Sequence, residues 1–205
     1  PNPSSHPLHN TVLLTAASYP SINLLYNFKC FLDRLKFKFI VLSLDFALYN
    51  DLANNDESIL AYPATASAQI DPLAASSSKL QSQGELNKLE AVYSALEKGY
   101  DVLFVEVDTA LLEDPAPRLQ HADMVFAHDG PATCDSSAAQ PASTSSAGGA
   151  GLFFVRSNAE ALAAVSRALQ RAQQEGLAAG DSVHSLLHQA FSSDKAIQYV
   201  GSCTN

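Results

Sequence analysis

The run Asp101-Val-Leu-Phe-Val-Glu-Val107 is apolar almost throughout, with Gly99 before it and Asp108-Thr109 after it. A short unbroken apolar segment between turn residues is the pattern of a strand buried on both faces, and such strands belong to sheets covered by helices on both sides. The rest of the chain supplies matching parts. Thr11-Val-Leu-Leu-Thr-Ala-Ala17 predicts a first strand, and Ser21 to Leu35 predicts a helix behind Pro20 and Ser21, with Leu24, Leu25, Phe28, Phe31, Leu32 and Leu35 at helical spacing. Phe37 to Leu44, closed by Asp45, predicts a second strand, and Ala47 to Ala53 a brief helix. Glu85 to Lys98 carries Leu86, Leu89, Val92, Tyr93 and Leu96 on one side and stops at Gly99. Asp123 to Ala127, Gly151 to Val155 and Ala196 to Val200 predict further strands. Ala159 to Glu175 and Asp181 to Phe191 predict helices, the latter with Asp181 placed to cap it. Strands alternating with helices imply the α/β class: a mostly parallel central sheet with helices on both faces.

A chain of 205 residues, 47% hydrophobic, can bury one substantial core, so a single domain over 1–205 is expected. Two segments break the pattern. Tyr62 to Gly84 is rich in Ser, Ala and Pro and reads as a long loop, flexible over about 63–84; Gly130 to Gly149 has a composition that packs no core and reads as a second flexible loop. The three cysteines, Cys30, Cys134 and Cys203, form neither a zinc spacing nor a disulfide framework, and Cys30 is expected in the core.

Charge narrows the partners. The formal net charge is -9 and the 12 Lys and Arg are dispersed, which offers nucleic acid or an anionic membrane surface no basic patch. No run approaches the roughly 18 apolar residues that a spanning helix requires, and Pro1 to Asn10 lacks the layout of a signal peptide. A soluble domain without direct membrane contact is the expectation.

In open α/β sheets ligands sit beyond the carboxyl ends of the strands. That rule selects Thr15 and Ala16 after the first strand, Asp45 after the second, Glu106 and Asp108 after the Asp101 strand, and His128 and Asp129 after the next. Residues two apart in a strand project to one side, so Glu106 and Asp108 would repel unless a cation lies between them. A hard divalent ion, Mn²⁺ or Mg²⁺, suits oxygen ligands and can neutralise a departing diphosphate. The alternative is a pair of solvated carboxylates at a strand end. His184 and His188 lie four apart on a helix, but no Glu follows the first, which favours ordinary histidines over zinc ligands. The chain has no Gly-rich phosphate loop of the nucleotide-triphosphatase kind, no Gly-x-Gly-x-x-Gly after its first strand and no Gly-x-Ser-x-Gly elbow, which disfavours kinase, dehydrogenase and serine-hydrolase readings.

The longer segment Gly99-Tyr-Asp-Val-Leu-Phe-Val-Glu-Val-Asp-Thr-Ala-Leu-Leu-Glu-Asp-Pro115 resembles the strand, acidic motif and following Asp-Pro of the nucleotide-diphospho-sugar transferases, a family that includes plant arabinosyl- and xylosyltransferases. The similarity continues in order from about Thr11 to about Ala190. It takes in Asn23-Leu-Leu-Tyr-Asn-Phe28, Val41-Leu-Ser-Leu-Asp45, Lys88, Gly149-Ala-Gly-Leu-Phe-Phe-Val-Arg-Ser-Asn158 and Asp181-Ser182. The resemblance implies the glycosyltransferase A fold, a nucleoside diphosphate sugar donor, a glycan or glycoprotein acceptor, usually Mn²⁺, and a Golgi-lumen or secreted setting. It implies Asp108 as chief metal ligand and Glu106 as a metal or ribose contact, both in a DxD-like motif. Thr15, Ala16, Lys88, His128, Asp129 and Gly151 fall on the donor side. Asp181 would stand near the reacting sugar carbon or the acceptor, although capping its helix is an equal reason for an Asp there. The family usually has Asp where this chain has Glu106, no Thr at Thr109, Asn at Gly149 and Gln at Ser182. A non-catalytic relative that binds a sugar nucleotide or a protein partner is therefore the alternative reading.

Overall fold

The computed structural model describes residues 8, 10–64, 77–119, 123–128, 149–177, 181–191 and 197–200. Seven strands make one sheet: β1 (Thr11–Ala17), β2 (Ile40–Ser43), β3 (Leu60–Pro63), β4 (Asp101–Val105), β5 (Met124–His128), β6 (Gly149–Val155) and β7 (Ile197–Val200). Their order is β3-β2-β1-β4-β6-β5-β7. β1 is parallel to β2 and β4, β2 to β3, and β5 to β7, whereas β6 runs antiparallel to β4 and β5. The expected mostly parallel sheet is present, with β6 reversed.

Among the described residues six α-helices accompany it: α1 (Ile22–Leu35), α2 (Phe46–Asn55), α3 (Ser77–Glu97), α4 (Ala116–Leu119), α5 (Ala159–Glu175) and α6 (Val183–Phe191). The alternation of side chains along β1 and β4 splits the core into two layers. Leu14, Ala16, Val102 and Phe104 face Leu89, Val92 and Leu96 of α3, Val165 of α5 and Leu187 of α6. Leu13, Ala17, Leu103 and Val105 face Leu25, Phe28 and Leu32 of α1 and Leu48 and Leu52 of α2. Phe104 stacks on Phe153 of β6 with ring centroids 5.0 Å apart, which fastens the reversed strand to the central one.

Several expectations are corrected. The Tyr62 to Gly84 loop is shorter than read, because Tyr62 and Pro63 belong to β3 and residues 77–84 are already helical in α3. β4 ends at Val105 rather than Val107, because the Glu106 carbonyl accepts from Thr109 N–H at 3.0 Å and closes a turn. Cys30 is exposed instead of buried: the inward stripe of α1 is Leu25, Phe28 and Leu32, and a residue two positions past Phe28 lies on the far side. α6 begins at Val183, and its local cap is Ser182, whose hydroxyl accepts from Ser185 N–H at 3.1 Å, rather than Asp181. The tract from Gly130 up to residue 148, Asp129, Cys134 and Cys203 lie outside the described residues. Among the described residues no helix is long and apolar enough to cross a membrane.

From β1 the chain runs outward through β2 to β3, then returns through α3 to place β4 on the opposite side of β1. The reversal makes the gap between the carboxyl ends of β1 and β4 a topological switch point, where adjacent connections diverge and leave a crevice.

Candidate active site

Glu106 leaves β4 at that crevice, on the same face as Phe104 and toward α3. Its Oε1 accepts a hydrogen bond from Lys88 Nζ at 2.7 Å. Lys88 is 8% exposed, so α3 brings an ammonium group into the protein body and sets it 5.9 Å from the centre of the Phe104 ring. A second bond joins the same Nζ to Glu85 Oε1 at 2.8 Å, one turn back on α3. The other oxygen of Glu85, Oε2, accepts from Val183 N–H at the start of α6 at 2.8 Å. Three elements therefore meet in one polar chain: α6, α3 through Glu85 and Lys88, and the end of β4.

The electrostatics of this chain are unbalanced. Burial works against the charged form of Lys88, but Glu106 and then Glu85 outweigh it and hold its pKa above the ordinary lysine value. Glu106 is also pushed up, by burial first, against the pull of Lys88 and with added repulsion from Glu85 and Asp108. An ion pair alone would lower a carboxyl pKa. The upward direction therefore means that burial and two neighbouring carboxylates outweigh one ammonium.

Asp108 lies in the turn after β4 and is exposed. Strand parity does not govern the pair here, because strand geometry has already ended at Val105, and one of the two carboxylates is bound to Lys88. What remains for a divalent ion is the Asp108 carboxylate, with Glu106 beside it only partly neutralised. Among the described residues no group of three or more potential ligands gathers. A donor set this small fits Mn²⁺ or Mg²⁺ only in their usual phosphate-site manner, with one or two carboxylates and the rest of the shell from substrate phosphate and water.

Gly151 is placed beside the motif for a packing reason. Its carbonyl accepts from Glu106 N–H at 2.5 Å, its φ is +57°, and a Cβ there would come within 2.6 Å of Thr109 Oγ1 and 3.1 Å of Glu106 Cβ. Only glycine allows both that backbone conformation and that approach.

Thr15 and Ala16 are inside β1 at 0% and 3% exposure, two positions and one position short of its end, so their side chains do not reach the rim as expected. Thr15 shares the α1/α2 face with Ser43 of β2, and among the described residues neither Thr15 Oγ1 nor Ser43 Oγ has a hydrogen-bond partner. Asp45 is occupied structurally: Oδ1 accepts from Leu48 N–H at 2.8 Å and caps α2, while Oδ2 accepts from Tyr19 N–H at 2.7 Å. His128 ends β5. Asp181 stands two residues before α6 and lines a cavity of about 360 Å³ between α5 and α6 with Arg171, Glu175 and Gln189; neither Glu106 nor Asp108 lines it. His184 and His188 lie against Phe126, at 4.5 Å and 5.9 Å between ring centroids, in keeping with histidines packed at the core rather than a zinc pair. Glu85 was not among the expected site residues. The spacing Glu85, Lys88 was its only sequence signal, a helical i,i+3 pair indistinguishable from a surface one.

A family profile described as nucleotide-diphospho-sugar transferase matches residues 36–200. No curated protein sequence matches the chain. Among solved structures, the glycosyltransferase GlyE of Streptococcus pneumoniae TIGR4 is similar with a TM-score of 0.49 and 12% identity, over 92% of this chain and 44% of that one. The apo form of the same protein gives a TM-score of 0.49 and 12% identity over 91% and 44%. The chain thus spans less than half the length of these structures.

Proposed function

The chain belongs to the nucleotide-diphospho-sugar transferase family, and from that premise we propose that it transfers a sugar from a nucleoside diphosphate donor to a hydroxyl of a glycan or glycoprotein. The observation that carries this reading is the position of Glu106 and Asp108: inside the matched segment, at the carboxyl end of a central strand and beside a topological switch point. In this reading the diphosphate lies over the turn after β4. Asp108, with Glu106, would hold a Mn²⁺ or Mg²⁺ ion, which would supply charge neutralisation to the departing diphosphate. Lys88 adds a compact positive charge beneath the same rim and opposes the effect of burial on the Glu106 carboxyl. The end of β1 would receive the nucleoside, and the Asp181-Ser182 segment would face the acceptor. The setting would be the Golgi lumen or the outside of the cell.

A second reading has its own observation. Glu106 is already bound to a resident ammonium, and Ser182 is spent in a reciprocal cap with Ser185. Those features suit a non-catalytic relative that binds a sugar nucleotide or a protein partner. Calorimetry of uridine diphosphate with and without Mn²⁺, followed by release of the nucleotide from UDP-hexoses and UDP-pentoses, separates the two. Manganese-dependent binding with turnover supports the transferase, binding without turnover supports the scaffold, and no binding removes both.

A further inference from the structure

The cap of α6 is divided between a local and a distant acceptor. Within the helix start, Ser182 Oγ accepts from Ser185 N–H and Ser185 Oγ accepts from Ser182 N–H, at 3.1 Å and 2.9 Å, which satisfies the first turn in the way any short helix can manage alone. Val183 N–H goes elsewhere, to Glu85 Oε2, 98 residues earlier in the chain. A local cap stabilises a helix but does not locate it. A long-range carboxylate does, because it ties the helix to a fixed point on another element. That carboxylate is 14% exposed, and its remaining oxygen holds the ammonium that holds Glu106.

We infer that Glu85 is a positioning residue of the proposed reaction: one oxygen steadies Lys88 against Glu106 at the donor rim, and the other registers the Asp181-Ser182 segment against that rim. The inference rests on the transferase reading above for its catalytic consequence, but the clamp is testable without it. Glu85→Gln keeps one oxygen for the Val183 amide but gives up the Lys88 contact, because its amide nitrogen cannot accept from an ammonium, whereas Glu85→Ala removes both contacts. Placement errors of a fraction of an ångström to one ångström cost large factors in rate, so in Glu85→Ala kcat for UDP release from the donor should fall about tenfold or more, and in Glu85→Gln, which keeps the Val183 tie but not the Lys88 one, by a smaller factor of about threefold. Uridine diphosphate affinity in the presence of Mn²⁺ should stay within about twofold in both, because Glu85 supports the rim rather than forming it. Hydrogen exchange of the Val183 amide should accelerate about tenfold in Glu85→Ala and stay near wild type in Glu85→Gln. If the alanine variant does not fold, Glu85→Asp, one methylene shorter, gives the same contrast at intermediate size. Unchanged Val183 exchange and kcat in Glu85→Ala, equal losses in the two variants, or a loss of nucleotide affinity that parallels kcat would each overturn the positioning role. A wild-type chain that binds no uridine diphosphate would instead overturn the transferase reading and leave Val183 exchange to decide the clamp.

Discussion

The carboxyl ends of β4 and of β1 and β2 border the same crevice, yet they treat their buried polar groups in opposite ways. At β4, Lys88 donates to two carboxylates, and Glu85 spends both oxygens. Just inside the ends of β1 and β2, the hydroxyls of Thr15 and Ser43 are buried at 0% and 1% exposure without a hydrogen-bond partner among the described residues. A charge taken out of water needs compensation worth several kcal/mol, while an unpaired hydroxyl costs only about 1–3 kcal/mol. The difference teaches that the acidic half of the rim is built as a self-consistent network, and that the neighbouring half tolerates small local deficits.

The largest test removes the shared cation. Lys88→Met leaves Glu85 and Glu106 facing each other without compensation and should lower the unfolding free energy by about 3 kcal/mol in urea denaturation. A loss under about 1 kcal/mol would mean that the network is no more than a surface ion pair. The pH dependence has a definite sign. A lysine whose pKa is raised on folding contributes stability that is complete below its unfolded value and disappears as pH rises through its folded value. The Lys88 contribution should therefore be lost with rising pH only above the ordinary lysine range, while acidification should narrow the gap between wild type and Lys88→Met, because Glu106, already pushed up by burial, gives up its charge more readily without Lys88. A gap that narrows by roughly half or more as pH rises from 6 to 8 would contradict the assignment.

Next in size is Asp108→Asn. Because the side chain is exposed, unfolding should change by no more than about 0.5 kcal/mol. Affinity for uridine diphosphate with Mn²⁺ should fall about 30-fold in calorimetry, which is about 2 kcal/mol. Equal affinity for the variant would separate Asp108 from the donor. The smallest effect is expected inside the end of β1, and with the opposite sign: Thr15→Val should raise stability by about 1 kcal/mol, since it deletes an unpaired buried hydroxyl at nearly constant volume. Destabilisation by a similar amount would show that the two halves of the rim are alike after all.

What was legible in the chain followed from local chemistry. Gly99 ends α3 with φ +83°, Asn158 caps α5 by accepting from Ala161 N–H at 2.8 Å, and the apolar run from Val102 to Val105 is buried throughout. Each depends on residues within a few positions of one another. β3 escaped notice because Leu60 and Tyr62 are 63% and 57% exposed, and Pro63 closes the strand, so this edge strand offers neither alternation nor a buried run. The reversal of β6 was invisible for another reason: Leu152 to Val155 has the same composition whichever way it runs. At the site, the acids were found but their relation was not. The pairing of Glu106 with Lys88 spans 18 positions and two elements, and strand parity is no guide to Asp108 once the chain turns at Glu106.

The pairing of Thr11 with Asp101 at the centre of the sheet has a temporal consequence. A nascent polypeptide can begin α1, β2 and α2 early, but β1 keeps an unsatisfied edge until about ninety further residues have been synthesised, by the register of those two strands. Docking of β4 beside β1 must precede any cleft between them, and its low sequence locality marks it as a slow step in attaining the native state. Donor recognition would then report on completed assembly of the sheet, and early chains should present an exposed strand edge that invites chaperones or aggregation.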